Sequence, residues 1–214
     1  MTRPYAPDHA EIDDPMPRAA RRPIRRIGLL GGSFNPAHGG HRQISVMALQ
    51  RLGLDEVWWL VSPQNPLKTA DGMDSFEQRF ERAAALARHP RIRVSDLEVR
   101  LATRYTVDTL AALRRLYPDL AFVWMMGADN LVQLPEWQGW LEIVGSVPVA
   151  VFARPTYSLR ALAGKAARRF ARARLPEAAA RGLVDCEPPA WVFLHTRLNP
   201  ISATEIRRER RTGE

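Results

Sequence analysis

Short apolar runs alternate with amphipathic stretches along most of this chain. The apolar runs predict strands at 27–30, 57–61, 92–94, 121–126, 147–152 and 191–194. Apolar residues at helical spacing predict helices at 41–52, 75–88, 106–117, 158–174 and 202–211. Continuous apolar strands that alternate with helices are typical of an α/β protein. We therefore expect a doubly wound parallel sheet with helices on both of its faces.

The N-terminal segment lacks this pattern. Residues 1–23 are rich in proline and charged side chains, so they predict a disordered extension. Residues 24–214 form one predicted domain, long enough to bury a core without a metal or disulfide. The single cysteine, Cys186, fits a reducing compartment. No secretory signal or membrane-length apolar run is evident, so we expect a cytoplasmic protein.

Basic charge is concentrated in one part of the sequence. The net charge is +8, and the segment 154–181 carries eight basic residues against a single acid, Glu177. Such a segment could meet nucleic acid, anionic lipid or an anionic small substrate. A solvated, arginine-rich helix face is the simpler interpretation. Lys68 and Lys165 are the only lysines, and Lys68 follows the second predicted strand. There it is either a phosphate contact or an exposed surface lysine.

The turn between the first strand and the first helix contains the residues that point most clearly to a function. Residues 31–41 read Gly-Gly-Ser-Phe-Asn-Pro-Ala-His-Gly-Gly-His. Small residues let backbone N–H groups approach a phosphate, and the helix N-terminus favours an anion. His38 and His41 are three residues apart, so they share one face and offer ring donors to phosphate oxygens. Helix capping and a two-histidine metal site are the alternatives.

Other loops converge on the same edge of the predicted sheet, because ligands bind at the carboxyl ends of parallel strands. Asp129 follows Gly127 at the end of a buried strand, and it is either a ribose contact or a helix cap. Trp137 either stacks on a planar base or belongs to the core. Residues 199–207 contain a capping box and then Arg207, which together predict a second anion site at a helix start.

Two motifs identify a resemblance. Residues 31–41 resemble the pattern G-G-x-F-[D/N]-P-x-H-x-G-H of the nucleotidylyltransferase superfamily, with Asn35 in place of the commoner aspartate. Residues 201–207, Ile-Ser-Ala-Thr-Glu-Ile-Arg, resemble its second motif, I-S-[S/A]-T-x-I-R. The resemblance implies a Rossmann-like fold for the doubly wound sheet.

The interior of the chain resembles one family within that superfamily. The segments at 63–68 (Pro-Gln-Asn-Pro-Leu-Lys), 105–110 (Tyr-Thr-Val-Asp-Thr-Leu) and 127–131 (Gly-Ala-Asp-Asn-Leu), with Trp137, look like those of bacterial nicotinate-nucleotide adenylyltransferases. These enzymes join ATP and nicotinate mononucleotide into deamido-NAD and pyrophosphate. The resemblance therefore implies ATP with Mg²⁺, the ion being held through the phosphates of ATP and not by a protein metal site.

The resemblance also implies roles for individual residues. Catalytic roles fall on His38, His41, Lys68 and Arg207. Contacts with ATP fall on Gly32, Ser33, Phe34, His38, His41, Gly127, Asp129, Ile201, Ser202, Thr204 and Arg207. Contacts with nicotinate mononucleotide fall on Ser33, Asn35, Lys68, Tyr105, Thr106 and Trp137.

Two alternatives to this function stay open at the level of sequence. One is another nucleotidylyltransferase of the same fold, with nicotinamide mononucleotide or phosphopantetheine as its acceptor. The other is a nucleic-acid-binding protein that uses the segment 154–181, although this segment lacks the interleaved aromatics of a single-strand platform. We expect small-molecule substrates and no nucleic-acid or membrane partner. The sequence leaves open whether the chain is a monomer or a homo-oligomer.

Overall fold

A computed structural model describes residues 25–63 and 73–196 of the chain. The predicted extension at 1–23, Lys68, and the second motif with its predicted helix at 202–211 lie outside the described residues. No helix within the described part is long and apolar enough to cross a membrane.

The described strands form one parallel sheet with the spatial order β3-β2-β1-β4-β5-β7-β6. Its strands are β1 (Arg25–Gly32), β2 (Glu56–Val61), β3 (Ile92–Ser95), β4 (Leu120–Gly127), β5 (Val149–Phe152), β6 (Arg174–Leu175) and β7 (Trp191–Leu194). β1 lies between β2 and β4, with Gly28 level with Val57 on one side and with Val123 on the other.

Helices connect the strands and cover the sheet. They are α1 (Gly39–Arg51), α2 (Phe76–Leu86), α3 (Leu97–Arg100), α4 (Thr106–Leu116), α5 (Ala128–Gln133), α6 (Trp140–Ser146), α7 (Ser158–Leu162) and α8 (Lys165–Arg169). Short 3₁₀ helices lie at Leu134–Glu136, Ala171–Ala173 and Glu177–Asp185. The capping box predicted at Ser75 is present, because its hydroxyl accepts the Gln78 N–H and the Gln78 side chain accepts the Ser75 N–H.

Successive residues of each strand belong to two separate hydrophobic cores, one on each face of the sheet. In β2, Trp58 and Leu60 belong to the core on one face, and Val57 and Trp59 belong to the core on the other. This alternation follows from the two-residue repeat of a strand. Both faces are apolar because both are covered, which confirms the predicted α/β fold with helices on both sides.

The order of the strands determines where a site can form. The chain moves outward from β1 to β2 and β3, and then crosses back to place β4 on the other side of β1. The loops after β1 and β4 therefore leave the sheet in opposite directions and open a crevice at its carboxyl edge, the usual ligand position in such sheets.

Several elements differ from the sequence-based prediction. The helix predicted at 158–174 is broken into α7, α8 and a 3₁₀ turn, because Gly164 adopts an extended conformation between the two helices. The first helix begins at Gly39 and not at His41, since His38 caps it. The short elements α3, α5, α6, β6 and the 3₁₀ helix Glu177–Asp185 were not predicted.

Candidate active site

The turn that follows β1 is buried and fixed by aromatic packing. Phe34 has a φ of +47°, a left-handed conformation that costs a non-glycine residue about 1–3 kcal/mol. Its ring is buried and stacks on Trp59, with centroids 5.1 Å apart and planes 16° from parallel. This packing offsets the backbone strain. Because the ring belongs to the core, a contact of Phe34 with ATP would have to use its backbone.

His38 and His41 begin α1 and hold each other in place. The Nδ1 atom of His38 accepts the Gly40 N–H at 3.2 Å, and the Nδ1 atom of His41 accepts the His38 N–H at 3.1 Å. A neutral imidazole that accepts at Nδ1 carries its proton on Nε2. The ring centroids are 3.9 Å apart, which confirms the shared face. The histidines therefore cap the helix through Nδ1 and present Nε2–H as a donor.

The surroundings of His38 keep its ring neutral. Burial is the largest cause, and with the nearby Arg154 charge it lowers the pKa of His38 from 6.5 to about 4, against the opposite influence of Asp129. At neutral pH, His38 is thus an uncharged hydrogen-bond donor. Any positive potential in this crevice has to come from other groups.

Arg154 is a cation whose charge acts on His38. It follows β5 at the carboxyl edge, and its Nε lies 3.2 Å from Asp129 Oδ1. A Cβ at Gly127 would lie 2.3 Å from that oxygen and 2.8 Å from Arg154 Nε, so any other residue there would have to displace the ends of both side chains. Asp129 makes no capping hydrogen bond to α5, so the helix-cap alternative is wrong.

Sequence reasoning counted Arg154 only as part of the basic segment 154–181. The signal that could have found it was its position two residues beyond a strand end. The other basic residues of this segment, Arg160, Lys165, Arg168, Arg169, Arg172, Arg174 and Arg181, are exposed. Some of them lie over aromatic rings, as Lys165 does over Trp140 and Arg174 over Trp191.

Tyr105, Thr106 and Trp137 form a second group at the start of α4. This helix returns from the carboxyl edge to β4, so its first residue, Thr106, lies at that edge. Gly139, two residues after Trp137, has a φ of +64°, and a Cβ there would lie 3.0 Å from Val107 Cγ1. The structure thus brings the two predicted segments together. Trp137 is half-buried and packs against the core, as one of its two expected roles requires, and its stacking on a planar base stays a prediction.

Two buried ionisable side chains near the turn were not predicted. Arg79 of α2 donates to backbone carbonyls of the loops after β1 and β2. Glu98 of α3 hydrogen-bonds to Ser62 at the end of β2, and burial raises its pKa from 4.5 to about 7. Both residues lie in helical segments whose sequence gives no sign of burial.

The remaining site predictions concern residues outside 25–63 and 73–196. They are Lys68, Ile201, Ser202, Thr204 and Arg207. Their roles stay predictions. Within the described residues, no group of three or more histidine, cysteine, aspartate or glutamate side chains could hold a metal ion.

Comparison with known proteins agrees with this geometry. Residues 29–209 match the cytidylyltransferase-like family, so the chain belongs to this family of nucleotidyltransferases. A protein of Parvibaculum lavamentivorans is 54% identical over 185 residues, covering 86% of this chain and 92% of its own length. A protein of Ruegeria pomeroyi is 50% identical over 186 residues, 87% of each chain. Both are named probable nicotinate-nucleotide adenylyltransferases, and within the wider family this chain is a member of that group.

The fold is also found in a solved structure. Plasmodium falciparum nicotinic acid mononucleotide adenylyltransferase, complexed with NaAD, aligns with a TM-score of 0.65 at 17% identity. The alignment covers 86% of this chain and 83% of that one. At this identity the likeness concerns the fold alone, and it agrees with the doubly wound sheet.

Proposed function

We propose that this chain transfers the adenylyl group of ATP to nicotinate mononucleotide, giving deamido-NAD and pyrophosphate. An oxygen of the mononucleotide phosphate attacks the α-phosphorus of ATP. The bond from that phosphorus to the oxygen bridging to the β-phosphate breaks, and pyrophosphate leaves with the bond's electrons. Such a direct displacement needs no enzyme nucleophile, so the protein contributes positioning and charge stabilisation.

The observation that carries this proposal is the pair of histidine rings at the start of α1, which lie side by side at the crevice between β1 and β4. His38 and His41 each accept a backbone N–H at Nδ1, and the proton of each neutral ring is therefore assigned to Nε2. The thirteen-residue helix behind them adds its N-terminal dipole. Donors fixed in this way stabilise charge that grows on a transferring phosphate without having to reorganise.

The remaining ATP contacts are assigned to the two loops of the crevice and to the second motif. Gly32 and Ser33 would offer backbone groups to the phosphates, and Asp129 beside Gly127 would accept hydrogen bonds from a ribose. Arg154 holds the Asp129 carboxylate from one side and adds positive charge. The triphosphate would be completed by Lys68, Arg207, Ile201, Ser202 and Thr204.

The mononucleotide is assigned to the other side of the turn. Ser33 and Asn35 would contact its phosphate and ribose, and Tyr105 and Trp137 would surround its ring. The N-terminus of α4 has no side-chain cap. Its first N–H groups, near Thr106, lack partners within the helix. They would receive the nicotinate carboxylate and favour the acid over the amide.

Mg²⁺ enters this proposal as part of the substrate, bound to the phosphates of ATP. Magnesium is commonly held by substrate phosphates and water with few protein ligands, so a dedicated protein cage is not required. We further infer that the enzyme works in the cytoplasm, a reducing compartment that fits its single free cysteine, Cys186.

The test is release of pyrophosphate from Mg·ATP with three acceptors offered separately. We expect rapid release with nicotinate mononucleotide, slower release with nicotinamide mononucleotide, and none with phosphopantetheine. Turnover with phosphopantetheine alone would assign the chain to another nucleotidylyltransferase activity. Absence of turnover with both pyridine nucleotides would overturn the proposal.

A further inference from the structure

Arg79 is a buried arginine whose partners are backbone carbonyls. Its exposed fraction is 1%. Its guanidinium donates to the carbonyl oxygens of Ser33 at 2.6 Å, Ser62 and Pro63 at 2.8 Å each, and Asp74 at 3.1 Å. The Asp74 carboxylate pairs with Arg82 instead. The four hydrogen bonds that the Arg79 guanidinium donates to these carbonyls thus run to neutral acceptors.

These four carbonyls belong to three separate parts of the chain. Ser33 lies in the turn after β1, Ser62 and Pro63 follow β2, and Asp74 precedes α2. The Asp74 N–H also donates to Asn35 Oδ1 at 3.4 Å, a second link between the start of α2 and the same turn. One side chain therefore fixes the position of the turn relative to the end of β2 and the start of α2.

A buried cation is costly if its only purpose is packing. Removing a guanidinium from water carries a penalty that neutral acceptors repay only in part, and well-packed apolar residues often serve stability equally well. What an apolar residue cannot do is hold several carbonyls in fixed directions. The planar fork of arginine does this, and the single ammonium of lysine does it less completely.

We propose that Arg79 is a positioning residue that orients Ser33 and Asn35 for the mononucleotide. The inference rests on the proposed function, in which Asn35 contacts the acceptor alone and Ser33 contacts both substrates. It assigns no contact between Arg79 and either substrate. Replacing Arg79 should therefore change mainly the KM for the mononucleotide. Arg79 and Asp74 bond directly to Ser33 and Asn35. They are linked to the two histidines only through the intervening residues of the turn.

The experiment compares Arg79→Lys and Arg79→Met with Arg88→Met. The last of these removes an exposed arginine just beyond the C-terminal end of the same helix, away from Asp74. Steady-state kinetics are measured for each substrate at a temperature at which circular dichroism shows the variant to be folded. We expect the KM for nicotinate mononucleotide to rise at least tenfold in Arg79→Met and the KM for ATP to rise less than threefold. Arg79→Lys should recover part of the difference, and Arg88→Met should match wild type.

The outcomes separate positioning from simple stabilisation. If Arg79 only stabilises the fold, its variants lower the melting temperature and leave the ratio of the two KM values unchanged, which would overturn this inference alone. Arg79→Lys keeps the charge and the stem, so it can be assayed even if Arg79→Met does not fold. If the wild-type enzyme shows no turnover with nicotinate mononucleotide, the proposed function fails, and this inference fails with it.

Discussion

Replacing Glu98 by glutamine should change how the stability of this protein depends on pH. Glu98 lies on α3 with an exposed fraction of 7%, and its side chain hydrogen-bonds to Ser62. Burial outweighs that hydrogen bond and raises the pKa of Glu98 from 4.5 to about 7. The folded protein therefore keeps the Glu98 carboxyl protonated at pH values at which the unfolded chain has already lost the proton.

The sign and size of the effect follow from this difference. Between pH 4.5 and about 7 the folded state binds more protons at Glu98 than the unfolded state does, so stability from this group falls as pH rises. It is fully present below pH 4.5 and is lost above about pH 7. The shift corresponds to about 3 kcal/mol in all, of which about 2.5 kcal/mol is lost between pH 5 and pH 8. Glutamine is neutral throughout and should lose none of it.

The assay is urea unfolding of wild type and Glu98→Gln at pH 5, 6, 7 and 8. We expect the stability of the variant relative to wild type to rise by about 2.5 kcal/mol across this series. Glu81→Gln is the matched control, because Glu81 is exposed on α2 and its replacement removes a charge without a change in burial. A stability difference that stays constant from pH 5 to pH 8 for Glu98→Gln would refute the reasoning.

Three further predictions concern the crevice. His41→Ala should lower kcat about 100-fold or more, because one preorganised donor is lost. The variant also loses the capping hydrogen bond to the His38 N–H, so kcat is measured at a temperature at which the variant is folded; near-normal kcat would contradict the role given to His41. Arg154→Met should raise the pKa of His38, since a neighbouring positive charge is removed. NMR titration of the imidazole measures this change, and an unchanged pKa would show that Arg154 is not a cause of the low pKa of His38. Gly127→Ala should cost about 0–1 kcal/mol of unfolding free energy, measured in urea, because its Cβ displaces the Asp129–Arg154 ion pair, which is partly exposed. Gly145→Ala is the comparison, as nothing lies within 4 Å of a Cβ there, and it should stabilise the protein by about 0.5–1 kcal/mol because Gly145 lies within helix α6. A stabilisation of the same size at Gly127 would contradict the steric argument.

The fold could be predicted because its strands are buried on both faces. Each central strand is a continuous apolar run, so β1, β2 and β4 are evident without any knowledge of their partners. The short helices could not be found in the same way, since an element such as α3 has too few residues to show helical periodicity. Gly164, which divides the basic segment, also breaks no pattern of apolar residues.

In the candidate site too, local features could be predicted from the sequence and long-range features could not. The adjacency of His38 and His41 is a local property, fixed by their spacing on one turn of helix, and the sequence therefore predicted it. The neutrality of His38 depends on burial and on Arg154, which is more than a hundred residues away in the chain. Arg79 depends on carbonyls from three loops that only the folded sheet brings together. Such long-range causes leave no mark on the local sequence.

The charge state of His38 changes what the histidine motif can contribute to phosphate chemistry. Two protonated rings 3.9 Å apart would repel each other, and the helix N-terminus behind them would disfavour both charges. Instead, the Nδ1 atom of each ring accepts a hydrogen bond from a backbone N–H. This arrangement leaves the proton of a neutral ring on Nε2, where it can be donated. Neutral donors stabilise a developing charge without holding a triphosphate so tightly that the product cannot leave. The full positive charge that a triphosphate requires then has to come from residues such as Arg154, which lies at the edge of the crevice. The two histidines contribute hydrogen bonds in fixed directions.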